Sequence, residues 1–582
     1  VNYFMDNPDL VATFDRLIRW DKIVPLVAGE NADVADTVKT WRELLAVAGE
    51  YIGTEVAGRA KEVDELGIIR DGGRVETSAP MKANLKGLAD LGFVGLSLPE
   101  AYGGSGLPLT LSSLGVEMIA RACPATMVEF GIGFTEPAAM ILRFGTEEQK
   151  RRLVPDIIRG ATKGAVAMTE PQAGSDVGNI QTSAREDGGC WRITGRKQFI
   201  SAGNGELVIV LARMVPGSIG LDGLGLFVVE RERDGQTNYI VERAEHKFTI
   251  RGSSTCSLVF EGSKAELLGE PGGGWREILT FMNESRIAIG LQGLGIGEAA
   301  HEKAARYAAE RVQMGRPIRE HPMVAEMLLD METTIAGLRA LTAEASTLQD
   351  LVTHAKDERA ARRLRELTPL VKWYGSEEII RVCRSAMQIF GGYGVVTEYE
   401  VERHMRDALI LPIYEGTSQI QSLMAVRDLM RAILRDPRSL VRGGPTPTLA
   451  RAKFDGNAGR DFASARSTLV ASLRGMVAGM ARRGGLELVR GRRRPTDDEM
   501  RPFMLHAERI TETLAHLHAA RALAEQAVVA PERRPLAARA ARRARLVAAR
   551  NAAAISSGDG GVFERVEAWS SERAAGGRST RR

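Results

Sequence analysis

CWRITGRKQFIS at 190–201, ELVIVLARMV at 206–215, GLGLFVVERE at 223–232 and CSLVFEG at 256–262 are the runs that decide the fold. They are rich in β-branched and aromatic residues and are separated by Gly, Asn and Asp, which is the composition of strands broken by turns. No helical period lies between them. Strands that follow one another without crossover helices pair antiparallel, so an antiparallel sheet or barrel is expected over 164–275 rather than a doubly wound nucleotide fold.

On either side the periodicity changes. From Asp9 to about Arg159 apolar residues recur at helical spacing, as in TVKTWRELLAVAGEYIGTEVAGRAKEVDELG at 37–67, with a turn-forming break, GLSLPEAYGGSGLP, at 95–108. This is an N-terminal helical domain, 1–163. After PGGGW at 271–275 the helical period returns and continues to Arg435, giving a C-terminal helical bundle at 276–435. The stretch VRGGPTPTLARAKFDGN at 441–457 reads as a linker, and Ala- and Arg-rich helices follow it, so 436–582 is an appended helical module with a basic tail. The fold class is therefore α+β and multidomain.

Bulk properties agree with this plan. At 582 residues the chain exceeds the roughly 250–300 at which one core stops growing. Its 44% hydrophobic and 26% charged residues are those of an ordinary folded protein, and a net charge of +4 does not call for a nucleic-acid partner. Cys123, Cys190, Cys256 and Cys383 stand far apart with no C-x-x-C pair, which argues against structural zinc or a secreted disulfide framework. No run approaches the ~18 apolar residues of a membrane span, and the first residues hold no cleavable apolar core. A cytoplasmic protein without a transmembrane segment is expected.

The chemistry concentrates in LPIYEGTSQIQ at 411–421, where a carboxylate sits between an aromatic ring and a glycine after a helix-breaking proline. A lone glutamate is usually a solvated charge. Here, however, TEPQAGSDV at 169–177, KQFIS at 197–201, MNESR at 282–286, QIFGGYG at 388–394 and YEGTSQIQ at 414–421 together resemble the acyl-CoA dehydrogenase family, and in its order. The resemblance runs to about Arg435, and the helix–β–helix plan is that family's.

The resemblance implies an FAD-dependent enzyme that makes trans-2-enoyl-CoA from an acyl-CoA, as in fatty acid β-oxidation, and passes electrons to an electron-transfer flavoprotein. Glu415 would be the base and Gly416 would let the backbone approach the thioester. Met168, Thr169, Gly174 and Ser175 would lie along the flavin, with Ser175 also near the thioester. Phe199, Ile200 and Ser201 would pack beside it, Phe and Ser standing where many relatives carry Trp and Thr. Arg311 and Gln313 match a stretch reaching the flavin diphosphate of a neighbouring subunit, although Gln313 and Met314 replace Thr and Phe there. Gln388, Gly391 and Gly392 match a contact with the adenosine half, and Thr417 and Gln419 a contact with the adenylate. Asn283, Arg286 and Tyr414 match acyl-CoA contacts. Some relatives place the base on the helix just before the arginine; that position is Ser285 here. A homodimer or homotetramer is implied, and no metal.

Two alternatives stay open: an acyl-CoA oxidase using oxygen, and a flavin-containing DNA-binding protein. The second draws on ERRPLAARAARRARLVAAR at 532–550, a basic run that also reads as a solvated helix face or a patch for an anionic surface. It has no interleaved aromatics for base stacking. Finally, GLGIGEA at 293–299 superficially suggests a dinucleotide fingerprint, but it follows no strand and continues a helix, so close helix packing is the expected explanation.

Overall fold

The structure, a computed structural model, describes the chain except residues 72–73, 451, 455, 485–492, 494 and 580–582. Two compact units divide it, Val1–Thr417 and Ser418–Arg582.

The first unit opens with helices that include α1 (Ala57–Leu66), α2 (Leu109–Ala122) and α3 (Glu136–Phe144). A π-helical turn, Gly131–Thr135, leads into α3. Two short antiparallel strands, Ile68–Asp71 and Arg74–Thr77, also lie in this region, which the helical reading of the sequence did not foresee.

The β domain follows, as expected. Its strands are β1 (Val166–Ala167), β2 (Ser183–Asp187), β3 (Cys190–Ser201), β4 (Leu207–Arg213), β5 (Leu224–Glu230), β6 (Ile240–Ala244) and β7 (Thr255–Leu268). They run in the order β6-β7-β3-β2-β4-β1, and β5 pairs with both β7 and β4, which closes five strands into a barrel. The ladders of β3, β5, β6 and β7 are antiparallel; only β1 and a single residue of β2 meet β4 in parallel.

Strand β4 explains its own unbroken apolar sequence. Val208, Val210 and Ala212 face the barrel core, while Leu207, Ile209 and Leu211 join the core of the helical domain. A strand buried on both faces does not alternate.

The helical bundle comprises α4 (Gly274–Glu310), α5 (Pro322–Ala355), α6 (Glu358–Phe390) and α7 (Val401–Ala408). The glycines of 293–297 lie at its tightest crossings. A Cβ on Gly293 would stand 2.1 Å from Gly375 O, and one on Gly295 2.5 Å from Arg121 N. Helix packing accounts for this run, as expected from its sequence.

The second unit contains α8 (Ser418–Arg435), α9 (Gly456–Gly484), α10 (Ala507–Val529) and α11 (Arg534–Ser556). Helix α8 packs on α10 and falls in the second unit. The basic run 532–550 forms α11, where Ala537, Ala541, Ala544 and Ala548 are core residues. Of its arginines, Arg545 pairs with Asp461 at 2.7 Å and Arg550 with Glu512. No helix among the described residues is long and apolar enough to cross a membrane.

Candidate active site

After α7 the chain turns sharply through 409–414 and presents Glu415. Lys372 Nζ and Ser376 Oγ, both on α6, donate to Leu411 O at 2.7 and 3.0 Å and anchor this turn. Glu415 has φ 55° and Gly416 φ 82°. Left-handed backbone costs a side-chain-bearing residue about 1–2 kcal/mol, so the surrounding contacts hold Glu415 in a conformation it would not choose.

Its carboxylate meets α4. Ser285 Oγ lies 3.1 Å from Glu415 Oε2 and 3.1 Å from Met282 O, so its single proton serves one acceptor at a time. Burial pushes the Glu415 carboxyl above its ordinary range; the Ser285 hydrogen bond and then the Arg286 and Lys372 charges pull it down, and burial wins. Lys372 itself is lowered to about 8 by burial. Arg286 is 3% exposed. The Tyr414 hydroxyl donates to Gln292 Oε1 and is held far above its usual range, chiefly by burial and then by the Glu415 charge.

A second carboxyl faces the same region. Glu136, at the start of α3, is pushed well up by burial, then by the charges of Glu415 and Glu284. Two helical turns on, Arg143 ion-pairs with Glu284 at 2.8 Å, which brings α3 against α4 beside Ser285. Glu136 and Lys372 were not identified from sequence. They come from remote segments and carry no local motif.

The other motifs assemble at the barrel edge. Lys197 and Glu170 form an ion pair of 2.8 Å with 0% and 2% of their side chains exposed. Glu170 also accepts from Gln181 N at 2.7 Å and Thr182 N at 3.0 Å, and Lys197 Nζ donates to Met168 O at 2.9 Å. Gln198 N donates to Thr169 O at 2.9 Å. This clamp lays Met168 and Thr169 beside Phe199, Ile200 and Ser201. Ile200 is buried, whereas Phe199, with φ 60°, shows 58% of its surface. Gly174 and Ser175 lie on an exposed turn.

Most of the remaining expected residues are exposed, on elements other than the turn that presents Glu415. Arg311 and Gln313 are exposed, on a two-strand projection formed by Val312–Gln313 and Arg316–Pro317 and tipped by Met314, 93% exposed. Gln388, Gly391 and Gly392 are exposed where α6 ends. Phe390 stacks there on Tyr307 with ring centres 4.3 Å apart. Gln419 is exposed in the first turn of α8, in the second unit, and Thr417 closes the first. The Asn283 side chain lies outside the described residues.

A desolvated carboxylate on a strained turn, tuned by a hydroxyl and two fixed cations, is the equipment of an enzyme that abstracts protons. Comparison with known proteins narrows that class. The acyl-CoA dehydrogenase N-terminal domain matches 39–161, the middle domain 165–263 and the C-terminal domain 272–430. An acyl-CoA dehydrogenase of Bacillus subtilis (strain 168) is 34% identical over 349 residues, 60% of this chain and 89% of its own. The structure of butyryl-CoA dehydrogenase from Megasphaera elsdenii is 31% identical with a TM-score of 0.60, covering 67% of this chain and 98% of that one. An acyl-CoA dehydrogenase from Bacillus anthracis complexed with FAD shares the fold at 22% identity, with a TM-score of 0.74 over 96% of this chain and 94% of its own. That coverage extends through the second unit.

The chain belongs to the acyl-CoA dehydrogenase family: it is an FAD-dependent oxidoreductase acting on CH–CH bonds. The barrel edge fits a flavin, because the outward Phe199 ring, fixed by left-handed backbone on the clamped strand, offers a flat apolar surface.

Proposed function

We propose that Glu415 removes the proton from the carbon next to the thioester of an acyl-CoA, yielding trans-2-enoyl-CoA. The observation that carries this reading is the Glu415 carboxyl itself: raised by burial, yet restrained by Ser285, Arg286 and Lys372. A base in water would be too weak, and one raised without restraint would stay protonated at neutral pH. An acyl chain that displaces water from this pocket raises the carboxyl further, so the base strengthens when substrate arrives.

By the family pattern the Glu415 N–H holds the thioester carbonyl, which stabilises enolate charge as it develops, and Gly416 leaves that approach open. Arg286, Tyr414, Asn283 and Ser175 are assigned to the acyl-CoA. Met168, Thr169, Gly174, Ser175, Phe199, Ile200, Ser201, Thr417 and Gln419 are assigned to FAD. Arg311, Gln313, Gln388, Gly391 and Gly392 are assigned to the FAD of a second copy in a homodimer or homotetramer; their exposure supports that division. Bound FAD supplies the acceptor for the hydride leaving the β carbon.

Glu415→Gln keeps the shape of the side chain and removes the base. The variant is expected to purify with wild-type FAD content while acyl-CoA bleaches the flavin at least ~10³-fold more slowly. Bleaching at the wild-type rate would overturn the assignment.

The proposed electron acceptor is an electron-transfer flavoprotein. Stopped-flow mixing of the substrate-reduced enzyme with air tests this: slow reoxidation supports it, and rapid peroxide release makes the protein an oxidase. The ion pairs of Arg545 and Arg550 and the buried alanine face of α11 favour a structural role for the basic run over duplex DNA binding.

A further inference from the structure

Away from the residues that touch Glu415, a cavity of about 540 Å³ opens between α1, the loop 246–251, and α7 with the segment that leads into it. Ten of its lining residues are ionisable groups that carry charge or can, and their pairing decides what the cavity can hold.

The acids are largely committed. Arg406 bonds Asp64 at 2.7 Å and also Glu402 at 2.5 Å, and Lys303 bonds Glu400 at 3.0 Å. Glu65 has Lys61 within 3.9 Å. Three cations are left without an acid at hydrogen-bonding distance. Lys247 Nζ donates only to a backbone carbonyl, Ser253 O, at 2.5 Å. Arg251 has no hydrogen bond or ion pair from its side chain among the described residues. Arg403 is 8% exposed, its Nε and Nη1 are buried without a hydrogen-bond acceptor, and its nearest acid, Glu400, is 3.8 Å away. A buried guanidinium with unmet donors is costly, and an anion that offers two acceptor oxygens, as a phosphate does, is its complement.

The wall carrying two of these cations is rigid. Ile250 lies between Lys247 and Arg251 with φ 38°, rare for a β-branched residue, and its N–H donates to the buried Asp407 Oδ1 at 2.6 Å. On the same wall Phe248 exposes 59% of its surface. A flat ring beside surplus cations suits a ligand that has both a planar group and phosphates.

We infer that this cavity binds a phosphorylated ligand of nucleotide size, its phosphates on Arg251, Lys247 and Arg403 and its ring against Phe248. The site is separate from the acyl-CoA site and does not depend on the reaction assigned to Glu415.

Isothermal titration of the FAD-loaded protein, its substrate site filled by an acyl-pantetheine that carries no nucleotide, tests this with ADP and with pyrophosphate as probes. One ADP is expected to bind per chain, at least ~10-fold more weakly in Arg251→Ala, with FAD content and acyl-CoA turnover unchanged. Arg403→Met removes a buried group and can compromise folding, so the more accessible Arg251 and Phe248 carry the test. ADP is expected to bind more tightly than pyrophosphate, and Phe248→Ala to erase the difference. Absence of saturable binding, or equal ADP affinity in wild type and Arg251→Ala, overturns the site. Equal affinity for ADP and pyrophosphate in the wild type overturns the nucleotide assignment.

Discussion

At the scale of single residues, the site works by opposing small effects on one carboxyl. Ser285 is the clearest of these, because its hydroxyl reaches Glu415 Oε2 without belonging to the turn that presents it. A hydrogen bond to the ionised form favours that form, so its loss raises the acid's pKa and the base becomes available only at higher pH. Ser285→Ala is therefore expected to move the acid limb of kcat/KM up by on the order of one pH unit, and Ser285→Thr to restore it. An unmoved limb in the alanine variant would exclude Ser285 as a positioning group. Glu415 itself was legible from YEGTSQIQ and its companion motifs. Ser285 was noted only for not being an acid, and Glu136 and Lys372 were not seen at all, because proximity across α3, α4 and α6 leaves no trace in any one segment.

At the scale of elements, two motifs expected to touch flavin build a support of their own. Lys197 in KQFIS and Glu170 in TEPQAGSDV are almost wholly buried partners that tie the 168–170 segment to β3. Removing one member of such a pair leaves a buried charge unanswered and typically costs about 3–5 kcal/mol. Lys197→Met should lower the urea midpoint and the FAD retained on purification, with Lys197→Met/Glu170→Gln recovering much of both. A single variant that unfolds with the wild type would show that the clamp is dispensable. The strands were readable because alternation and composition are local properties. The partner of α8 was not: Val426, Leu429, Met430 and Ile433 mark an apolar face, but the sequence does not say which helix covers it.

At the scale of the molecule, Arg339 on α5 is a junction for distant parts of the first unit. It is 2% exposed and meets Glu117 of α2 at 2.6 Å, Glu298 of α4 at 3.0 Å, and Asp9 near the N-terminus. Burial already pushes Glu117 up to about 7 despite this arginine. An acid whose pKa is raised in the fold adds stability when protonated, in full below its ordinary 4.5, and loses it as pH rises through the folded value. Arg339→Leu raises that value further. The variant is thus expected to lose stability at both ends of the range, through Glu298 and Asp9, and to lose more at pH 8 than at pH 5, because Glu117 is then ionised without its partner. Urea titrations at the two pH values check this, and an equal loss at both would contradict it. Strand β4 adds a constraint of a different kind. With Leu207, Ile209 and Leu211 in one core and Val208, Val210 and Ala212 in the other, it acts as a wall shared by two rooms. Helices severed at residue 163 would present to water the greasy patch that β4 now covers. A barrel transplanted from a relative would have to bring matching residues on its outer side. Helices and barrel are therefore fitted to each other as one piece and cannot be freely exchanged.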